Sequence, residues 1–358
     1  MTKPGLTEHE VDGLLASAAH GPGWALCVGA GTSLPSFPDW NRLVRRLLRR
    51  CTDDQPDRLA DELLPLFSPD ALIQAASARS SLGAEQFAGM LTDELYRDFF
   101  DAFTIEERRL VVRALCAVRP GDLSVARWRR FLDLLDARWH GRMSCLSIGP
   151  LVSDALGTVR SPSAILSFNA EPLLFAVLNA HQACAGQAHE GGVPQRLDRV
   201  VRGISNRSVG RIPYVFCHGL LPVPGAEVSQ HAASVDKLVF SEAAYLQLAA
   251  NVYSWQATSF LETCAARRVV FVGLSLSDAN MRRWLSWVHD SRVDELHQIG
   301  RPDAVSTQHF WLNLDPGRAQ LRAWIEASVA HLGVRLVWMN SWDAIGPVLA
   351  RMLNPRGA

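Results

Sequence analysis

The residues best suited to chemistry stand just after four apolar runs of the sequence. They are a glycine-rich corner, an asparagine, a histidine and a second glycine-rich turn that ends in a carboxylate. In chain order these are Gly29-Ala30-Gly31, Asn169, His218 and Gly273-Leu274-Ser275-Leu276-Ser277-Asp278. Small residues let an anionic ligand reach backbone N–H groups, as nucleotide sites require. A histidine can exchange a proton near neutral pH.

The first corner follows the apolar run Trp24–Val28, which predicts one buried strand. Thr32 and Ser33 are residue types that begin helices, so the loop predicts a helical turn whose positive end faces a phosphate. The pattern G-x-G-x-x-G is incomplete because its third glycine is replaced by Leu34, and a simple tight turn is the alternative. The tail of residues 35–40 has two prolines and two aromatic residues, which favours a stiff lid beside the corner.

Seven apolar runs predict the strands that position these corners. They cover residues 24–28, 164–168, 213–217, 237–240, 268–272, 309–313 and 335–339. Near-continuous apolar strands separated by helices predict an α/β fold with a doubly wound, Rossmann-like parallel sheet, whose ligands bind beyond the carboxyl ends of the strands. The four corners should therefore converge on one cleft. Each also has a structural alternative: Asn169, Ser275 or Asp278 could cap a helix, and His218 could satisfy a carbonyl group.

The chain divides into three predicted parts. Residues 1–23 form an N-terminal arm or short helix, residues 24–50 and 160–355 form the core, and residues 51–159 have the 3.6-residue period of a large helical insertion lobe. Asp39 is predicted to cap a helix with a stripe of apolar residues facing the core. The stripe comprises Leu43, Val44, Leu47 and Leu48, and the outward, solvated face comprises Arg45, Arg46, Arg49 and Arg50.

Composition restricts the classes of partner. Lys plus Arg and Asp plus Glu number 36 each among 358 residues, so no global field attracts nucleic acid or a membrane. Seven scattered cysteines without a C-x-x-C pair argue against a disulfide framework and a structural zinc site. The first residues lack an apolar segment, and no apolar run is long enough to span a bilayer, which predicts a cytoplasmic location.

Five ordered motifs resemble the sirtuin-like NAD-consuming family. They read GAGTS with PSFPDW, then SFNAEPLL, CHG, LVFSEAAY and VFVGLSLSDAN, and the resemblance covers residues 24–50 and 160–350. Two features depart from the family. Ala170-Glu171 replaces the family's Tyr-Asp, and only Cys264 follows His218, where the protein deacylases have a four-cysteine zinc module. The sequence therefore most resembles the zinc-free branch of bacterial antiphage systems, which hydrolyses NAD.

This resemblance implies an NAD+ hydrolase that produces ADP-ribose and nicotinamide, without zinc or another metal. It implies that Asn169 holds the ribose and orients water, and that His218 contacts a ribose hydroxyl or accepts a proton. The implied binding residues surround three portions of NAD: Gly29, Ala30, Gly31, Thr32 and Ser33 at the pyrophosphate, Asp39 and Trp40 beside nicotinamide, and Gly273, Ser275 and Asp278 at the adenosine half. Glu171 is also an implied binding residue, because it retains the carboxylate of the family's second motif.

The resemblance also implies an effector that depletes NAD in antiphage defence. Such a protein needs restraint, through a homo-oligomer or a partner in trans such as a HerA-type ATPase or an Argonaute-type sensor. Three alternatives stay open from the sequence. They are a non-catalytic sensor of NAD or ADP-ribose, a protein deacylase or ADP-ribosyltransferase, and an arginine-rich DNA-directed effector. A metal-dependent hydrolase is set aside, because no H-E-x-x-H is present and the eleven histidines show no ligand spacing.

Overall fold

One parallel sheet of eight strands organises the protein in a computed structural model, which describes residues 4–15, 23–186, 194–201, 203, 210–226, 238–301 and 309–354. The strands are β1 (Leu6–Thr7), β2 (Trp24–Val28), β3 (Ile165–Ser167), β4 (Leu197–Val200), β5 (Ile212–Phe216), β6 (Arg268–Val272), β7 (His309–Leu314) and β8 (Val334–Met339). Their order across the sheet is β1-β8-β7-β6-β2-β3-β5-β4, and every pairing is parallel.

Thirteen α-helices accompany the sheet within these ranges, so the predicted α/β, doubly wound fold is confirmed. They are α1 (Trp40–Cys51), α2 (Pro56–Leu63), α3 (Pro69–Ser80), α4 (Ala84–Asp101), α5 (Ile105–Cys116), α6 (Val125–Trp139), α7 (Ser144–Ala155), α8 (Leu173–Ala185), α9 (Glu242–Ala250), α10 (Trp255–Ala266), α11 (Ala279–Gln298), α12 (Ala319–Ala330) and α13 (Ile345–Leu353).

The strand predictions were wrong in three places. Residues 238–240 are not part of a strand, and Lys237 lies outside the described residues. The edge strand β4 was missed because Asp198 and Arg199 interrupt its apolar character. In the predicted arm, residues 6 and 7 form β1, which pairs with β8, and residues 16–22 lie outside the described part. A two-residue strand is too short to produce a periodic pattern.

Alternating strand residues enter two apolar clusters, one on each face of the sheet. In β2, Trp24, Leu26 and Val28 belong to the cluster that contains α1 and α4 through α8. Ala25 and Cys27 belong to the other cluster, which contains α10 and α11. This alternation follows from the two-residue period of a strand and explains why the strands are apolar throughout.

Helix α1 begins where the sequence predicts it. Asp39 accepts a hydrogen bond from the Arg42 N–H at 2.8 Å, which caps the helix, and the four predicted apolar residues are all buried. The prediction of an outward arginine face was wrong for Arg46, which is only 5% exposed. Arg46 is buried because its guanidinium lies against α4, where it donates to the Glu94 carbonyl at 2.8 Å and pairs with Asp98.

Helices α2 through α7 occupy the segment predicted as an insertion lobe. Their buried side chains join the same apolar cluster as β2 and β3, so the segment packs onto one face of the sheet. The domain boundaries at residues 51 and 159 stay a prediction. All seven cysteines lie in described ranges and are free thiols. Among the helices of the described ranges, none combines the length and the apolar character that crossing a membrane requires.

Candidate functional site

Four adjacent strands bring the predicted corners to one edge of the sheet. Strands β6, β2, β3 and β5 are neighbours, and all four end at this edge because they run parallel. Gly273, Gly29, Asn169 and His218 follow these strands within two residues. The sheet topology therefore juxtaposes residues that are up to 244 positions apart in the sequence. Ligand sites of open α/β sheets occur at this edge.

A cavity of about 770 Å³ lies at this edge, and we call it the open cavity. Seven predicted site residues line it: Gly29, Ala30, Asp39, Trp40, His218, Ser275 and Asp278. Asp70 of α3 and Arg283 of α11 also line the open cavity, and sequence reasoning missed both. No local signal marks Asp70, because its position depends on the packing of α3 against α9.

A second cavity of about 40 Å³ lies beside the first, and we call it the small pocket. Ser33, Asn169 and Glu171 line it, together with Ala30 and Trp40, which also line the open cavity. Its remaining walls are apolar and include Phe37, Pro38, Leu43, Leu95, Phe168, Ala170 and Phe240. Its volume is sufficient for bound water. The predicted site residues thus divide between two neighbouring cavities.

His218 and Asp278 form the polar contact of the open cavity. The Nε2 atom of His218 lies 3.5 Å from Oδ2 of Asp278. The ring packs edge-on against Phe168 and Tyr245, with centroids 4.8 and 5.4 Å apart. A backbone hydrogen bond from the Val239 N–H to the His218 carbonyl, at 3.0 Å, holds the turn after β5. The Nδ1 atom of His218 is buried and has no hydrogen-bond partner among the described residues.

Asp278 has a second role at the start of α11. Its Oδ1 atom accepts a hydrogen bond from the Met281 N–H at 2.9 Å, so it caps the helix, as the alternative from the sequence proposed. Burial alone would raise the pKa of Asp278. The hydrogen bond and the charge of His218, with the backbone N–H groups of Met281 and Asn280, outweigh burial and lower that pKa. Asp278 is therefore a carboxylate held in its charged form.

Glu171 organises the polar end of the small pocket. Its carboxylate accepts hydrogen bonds from the Ser33 hydroxyl at 2.6 Å, the Asn169 amide at 3.0 Å and the Leu173 N–H at 2.5 Å. Burial raises the pKa of Glu171 to about 7, although these three donors lower it in part. The Oδ1 atom of Asn169 is buried, and no described residue donates to it. A buried acceptor without a donor is uncommon and is available to a ligand or water.

The two glycine-rich turns pack backbone against backbone. The Gly31 N–H donates to the Gly273 carbonyl at 2.9 Å. A Cβ atom on Gly31 would lie 2.8 Å from Gly273 Cα, and a Cβ atom on Gly273, whose φ is +66°, would lie 2.5 Å from the Thr32 nitrogen. The small residues therefore allow the loops after β2 and β6 to touch. Gly31, Thr32 and Gly273 lie behind the cavity linings.

Most N–H groups of the first corner are occupied. Those of Gly29, Gly31, Thr32 and Ser33 donate to protein carbonyls, and a three-residue 3₁₀ turn takes the place of the predicted helical turn. For Ala30 the described part of the chain provides no such acceptor. A pyrophosphate at this corner stays a prediction, and Ala30 is the residue whose N–H is available to it.

The tail of the first loop is anchored rather than free. Phe37 is buried and stacks on Phe99 of α4, with ring centroids 4.7 Å apart. Only its last residues reach the open cavity, where Trp40 packs on Phe240 at a centroid distance of 5.1 Å. The interpretation of this tail as a lid was wrong for Phe37, because the helical segment supplies an aromatic socket for it.

A family model matches part of the chain. A model of the SIR2-like domain matches residues 190–330, from the segment before β4 to the end of α12. This range contains His218, Gly273, Ser275 and Asp278, whereas the first corner and Asn169 lie before it. No curated protein matches the chain significantly. The match supports a sirtuin-like relationship and, because SIR2-like domains use NAD, an NAD-dependent activity in general.

Metal chemistry has no visible site here. Within the described ranges, no three His, Cys, Asp or Glu side chains are grouped so that they could hold a metal ion. In the two cavities, His218 contacts Asp278, and Glu171 accepts hydrogen bonds from Ser33 and Asn169. The absence of zinc stays a prediction.

Proposed function

We propose that this protein hydrolyses NAD+ to ADP-ribose and nicotinamide. One observation carries the proposal: His218, paired with Asp278, faces the open cavity beside the small pocket that contains Asn169. The buried atoms His218 Nδ1 and Asn169 Oδ1 lack partners among the described residues, which fits a site that awaits a polar ligand. The volume of about 770 Å³ is in the range of about 300–1,000 Å³ typical of cofactor-sized ligands.

The reaction makes modest demands on acid–base chemistry. The nicotinamide ring of NAD+ is cationic, so the electron pair of the broken bond to ribose C1′ neutralises it without prior protonation. Water then forms the new bond to C1′ and loses a proton. The protein has to bind the dinucleotide, stabilise an oxocarbenium-like ribose and align the water. This requirement explains how a site without a pair of acidic groups at the reacting bond could be sufficient.

Asn169 and His218 are the proposed catalytic residues. Asn169 donates its amide N–H to Glu171 and Ser33, which fixes the amide and leaves Oδ1 to orient water or a ribose hydroxyl. With its Nε2 hydrogen directed to Asp278, His218 would accept a proton at Nδ1. Asp278, assigned to the adenosine half from the resemblance, is reassigned here as the positioning residue of His218.

The remaining assignments follow the cavity walls. Gly29 and Ala30 are proposed to face the pyrophosphate, with Gly31 and Thr32 supporting the corner behind them, and Asp39 and Trp40 are proposed to border nicotinamide. Ser275 is proposed at the adenosine half, with Gly273 supporting the turn behind it. The resemblance to the zinc-free branch further supports a role as an NAD-depleting effector in antiphage defence. A homo-oligomer or a partner in trans, of the HerA-type ATPase or Argonaute class, would control it.

The decisive experiment measures nicotinamide release from NAD+ by the purified protein, His218→Ala and Asn169→Ala. Each substitution is expected to lower the turnover number by about 10²–10⁴-fold, the usual contribution of a positioned proton-transfer group. His309→Ala and Asn179→Ala are matched controls, since both residues are buried and neither lines the two cavities. Circular dichroism checks that all four variants fold.

Three results would contradict the proposal. Equal losses in the control variants would show that burial, rather than chemistry, explains the effect. Tight NAD+ binding without nicotinamide release, also after addition of phage-infected lysate, would favour the non-catalytic sensor. Consumption of NAD+ coupled to removal of an acyl group from a peptide would favour the deacylase.

A cellular experiment tests the role in defence. Phage infection is expected to lower cellular NAD in a strain with the wild-type protein and not in a strain with His218→Ala.

A further inference from the structure

A second polar depression lies between α1 and α4, apart from both cavities of the candidate site. Its volume is about 380 Å³, and we call it the basic pocket. Its lining consists of Arg42, Arg45, Arg46, Arg49, Arg97 and Asp98. Five guanidinium groups and one carboxylate thus surround a single concave surface. A lining so unbalanced in charge contrasts with the zero net charge of the whole chain.

Helix geometry explains how the arginines come together. Arg42, Arg46 and Arg49 follow one another at intervals of four and three residues, which places them on one face of α1. Arg97 and Asp98 belong to α4, which packs against α1. The basic pocket is therefore built by two helices of the fold rather than by a loop.

One arginine is fixed and desolvated at the base of the basic pocket. Arg46 is 5% exposed, donates to the Glu94 carbonyl at 2.8 Å and pairs with Asp98. The same Asp98 carboxylate also binds Arg42, so one negative charge serves two guanidinium groups. A guanidinium has five N–H donors, and those that remain can bind a second anion.

Two of the outer arginines are held by exposed partners, and the third is held by a buried one. Arg45 pairs with Asp61 at 2.7 Å and Arg49 with Asp57 at 2.8 Å, and both aspartates are mostly exposed. Arg97 pairs with the buried Glu94. Burial raises the pKa of Glu94, although the charges of the neighbouring arginines lower it in part. Exposed ion pairs contribute little to stability, so Arg45 and Arg49 can turn toward a more highly charged ligand at little cost.

We propose that the basic pocket binds a compact oligophosphate, the chemistry shared by the triphosphate chain of a nucleotide and inorganic polyphosphate. Guanidinium groups form paired, charge-assisted hydrogen bonds with phosphate oxygens. The short concave surface suits a short polyanion, and no aromatic residue lines it for base stacking, as an extended single strand would require. This inference is independent of the proposed NAD+ hydrolysis.

The test is isothermal titration of the full-length protein with sodium tripolyphosphate at low ionic strength. The double variant Arg42→Gln with Arg49→Gln removes two half-exposed arginines and retains buried Arg46. We expect its Kd to be weaker by about tenfold or more, because two charge-assisted contacts are lost. Arg97→Gln, on the other helix, should weaken binding in the same direction. Raising the salt concentration should weaken tripolyphosphate binding by the wild type more than binding by the double variant.

A charge-matched control separates the basic pocket from general attraction. Arg109→Gln with Arg127→Gln also removes two exposed arginines, from α5 and α6, and should leave the Kd unchanged. The proposal fails if the wild type shows no saturable binding, if the control loses as much affinity as the double variant, or if the double variant binds as well as the wild type. The double variant would bind as well as the wild type if tripolyphosphate bound at another site, such as the open cavity.

Two further ligands identify the source of the phosphates. If ATP binds at least as tightly as tripolyphosphate, and the same variants lose ATP binding, the basic pocket is assigned to nucleotides. If tripolyphosphate binds and ATP does not, the basic pocket is assigned to inorganic polyphosphate. A short DNA duplex that binds more tightly than either, through the same arginines, would overturn the inference of a compact ligand.

Discussion

Two carboxylates of the candidate site, Glu171 and Asp278, differ in a way that their positions do not predict. Each follows a strand of the same sheet by a few residues, and each is largely buried. Yet the pKa of Glu171 is raised to about 7, whereas that of Asp278 is lowered. The difference arises from their neighbours. Glu171 meets three uncharged donors in the small pocket, and Asp278 faces His218 in the open cavity.

Burial alone therefore does not set the charge of this site. Burial disfavours the ionised form of both groups. For Asp278 the hydrogen bond and the charge of His218, together with two backbone N–H groups, reverse the effect. Environments that push two pKa values apart commonly separate two roles in a catalytic site. Asp278 is suited to orient and stabilise a charged partner, and Glu171 can hold or release a proton near neutral pH while it fixes Asn169.

The largest expected effect concerns stability in the small pocket. Glu171→Ala leaves the donors of Ser33, Asn169 and Leu173 without their shared acceptor, which should lower the free energy of unfolding by about 3–5 kcal/mol. Asp278→Ala removes a helix cap and a more exposed contact and should cost about 1–2 kcal/mol. Urea denaturation of both variants measures the difference. Equal losses would remove the distinction between the two cavities.

The pH dependence of stability should distinguish the carboxylates next. A carboxyl group with a raised pKa binds its proton more tightly in the folded state, so its contribution to stability is greatest below its unfolded pKa, here 4.5, and declines as pH rises through about 7. Relative to Glu171→Gln, the wild type should lose about 3 kcal/mol between pH 4.5 and 8.

The informative quantity in that experiment is the slope with pH. Glutamine cannot accept all three hydrogen bonds, so a constant offset between the two proteins is expected at every pH. Asp278 has the opposite sign: with a lowered pKa, its contribution is present above pH 3.8 and declines only as pH falls through the folded value. A flat difference between wild type and Glu171→Gln would show that folding does not raise the pKa of Glu171.

The two glycine-rich turns touch behind the cavities, and disrupting this contact should have a smaller effect on stability. Gly31→Ala should lower the free energy of unfolding by about 2 kcal/mol, because its Cβ would lie 2.8 Å from the Gly273 backbone. Gly89→Ala is the control: Gly89 lies inside α4 with open space around it, so the substitution should stabilise the protein by about 0.5–1 kcal/mol. Thermal unfolding measures both. Stabilisation by Gly31→Ala would mean that the turns do not touch.

The sequence predicts the part of this architecture that local patterns encode. Six of the seven predicted strands are present in the described residues, because buried parallel strands are apolar throughout. The Asp39 cap and the apolar face of α1 followed from helical periodicity. The strand predicted at residues 237–240 was wrong because a short apolar run can also be a buried extended segment, here following the His218 turn.

Other features depend on contacts that leave no local signal. The sequence placed Asp278 at the start of a helix, but its approach to His218 requires the pairing of strands that are distant in the chain. The burial of Arg46 likewise depends on α4, more than 40 residues later. The glycines at residues 29–31 were interpreted as clearance for a phosphate, whereas Gly31 makes room for another loop. Patterns identify chemistry-bearing residues, and packing decides which of them meet.

The smallest expected effect tests whether Asp278 acts on His218 in the reaction. Asp278→Asn retains a good helix cap, so folding should change little, while the negative charge beside His218 is lost. If NAD+ hydrolysis is the activity, kcat should fall by about ten- to thirtyfold with KM nearly constant, equivalent to about 1.4–2 kcal/mol of transition-state stabilisation. Urea denaturation should show nearly unchanged stability, because the asparagine side chain can still cap α11.

A surface pair provides the control for this last substitution. Asp136 on α6 contacts His140, which follows that helix, at 2.6 Å, and neither residue lines a cavity of the site. Asp136→Asn therefore removes the same charge from the same kind of pair, and the kinetics should not change. A fall in kcat accompanied by an equal loss of stability would assign Asp278 to the helix cap alone. A fall in kcat with stability retained would assign the charge dependence to the contact with His218 in the open cavity. The difference between the two carboxylates would then be a difference in function as well as in pKa.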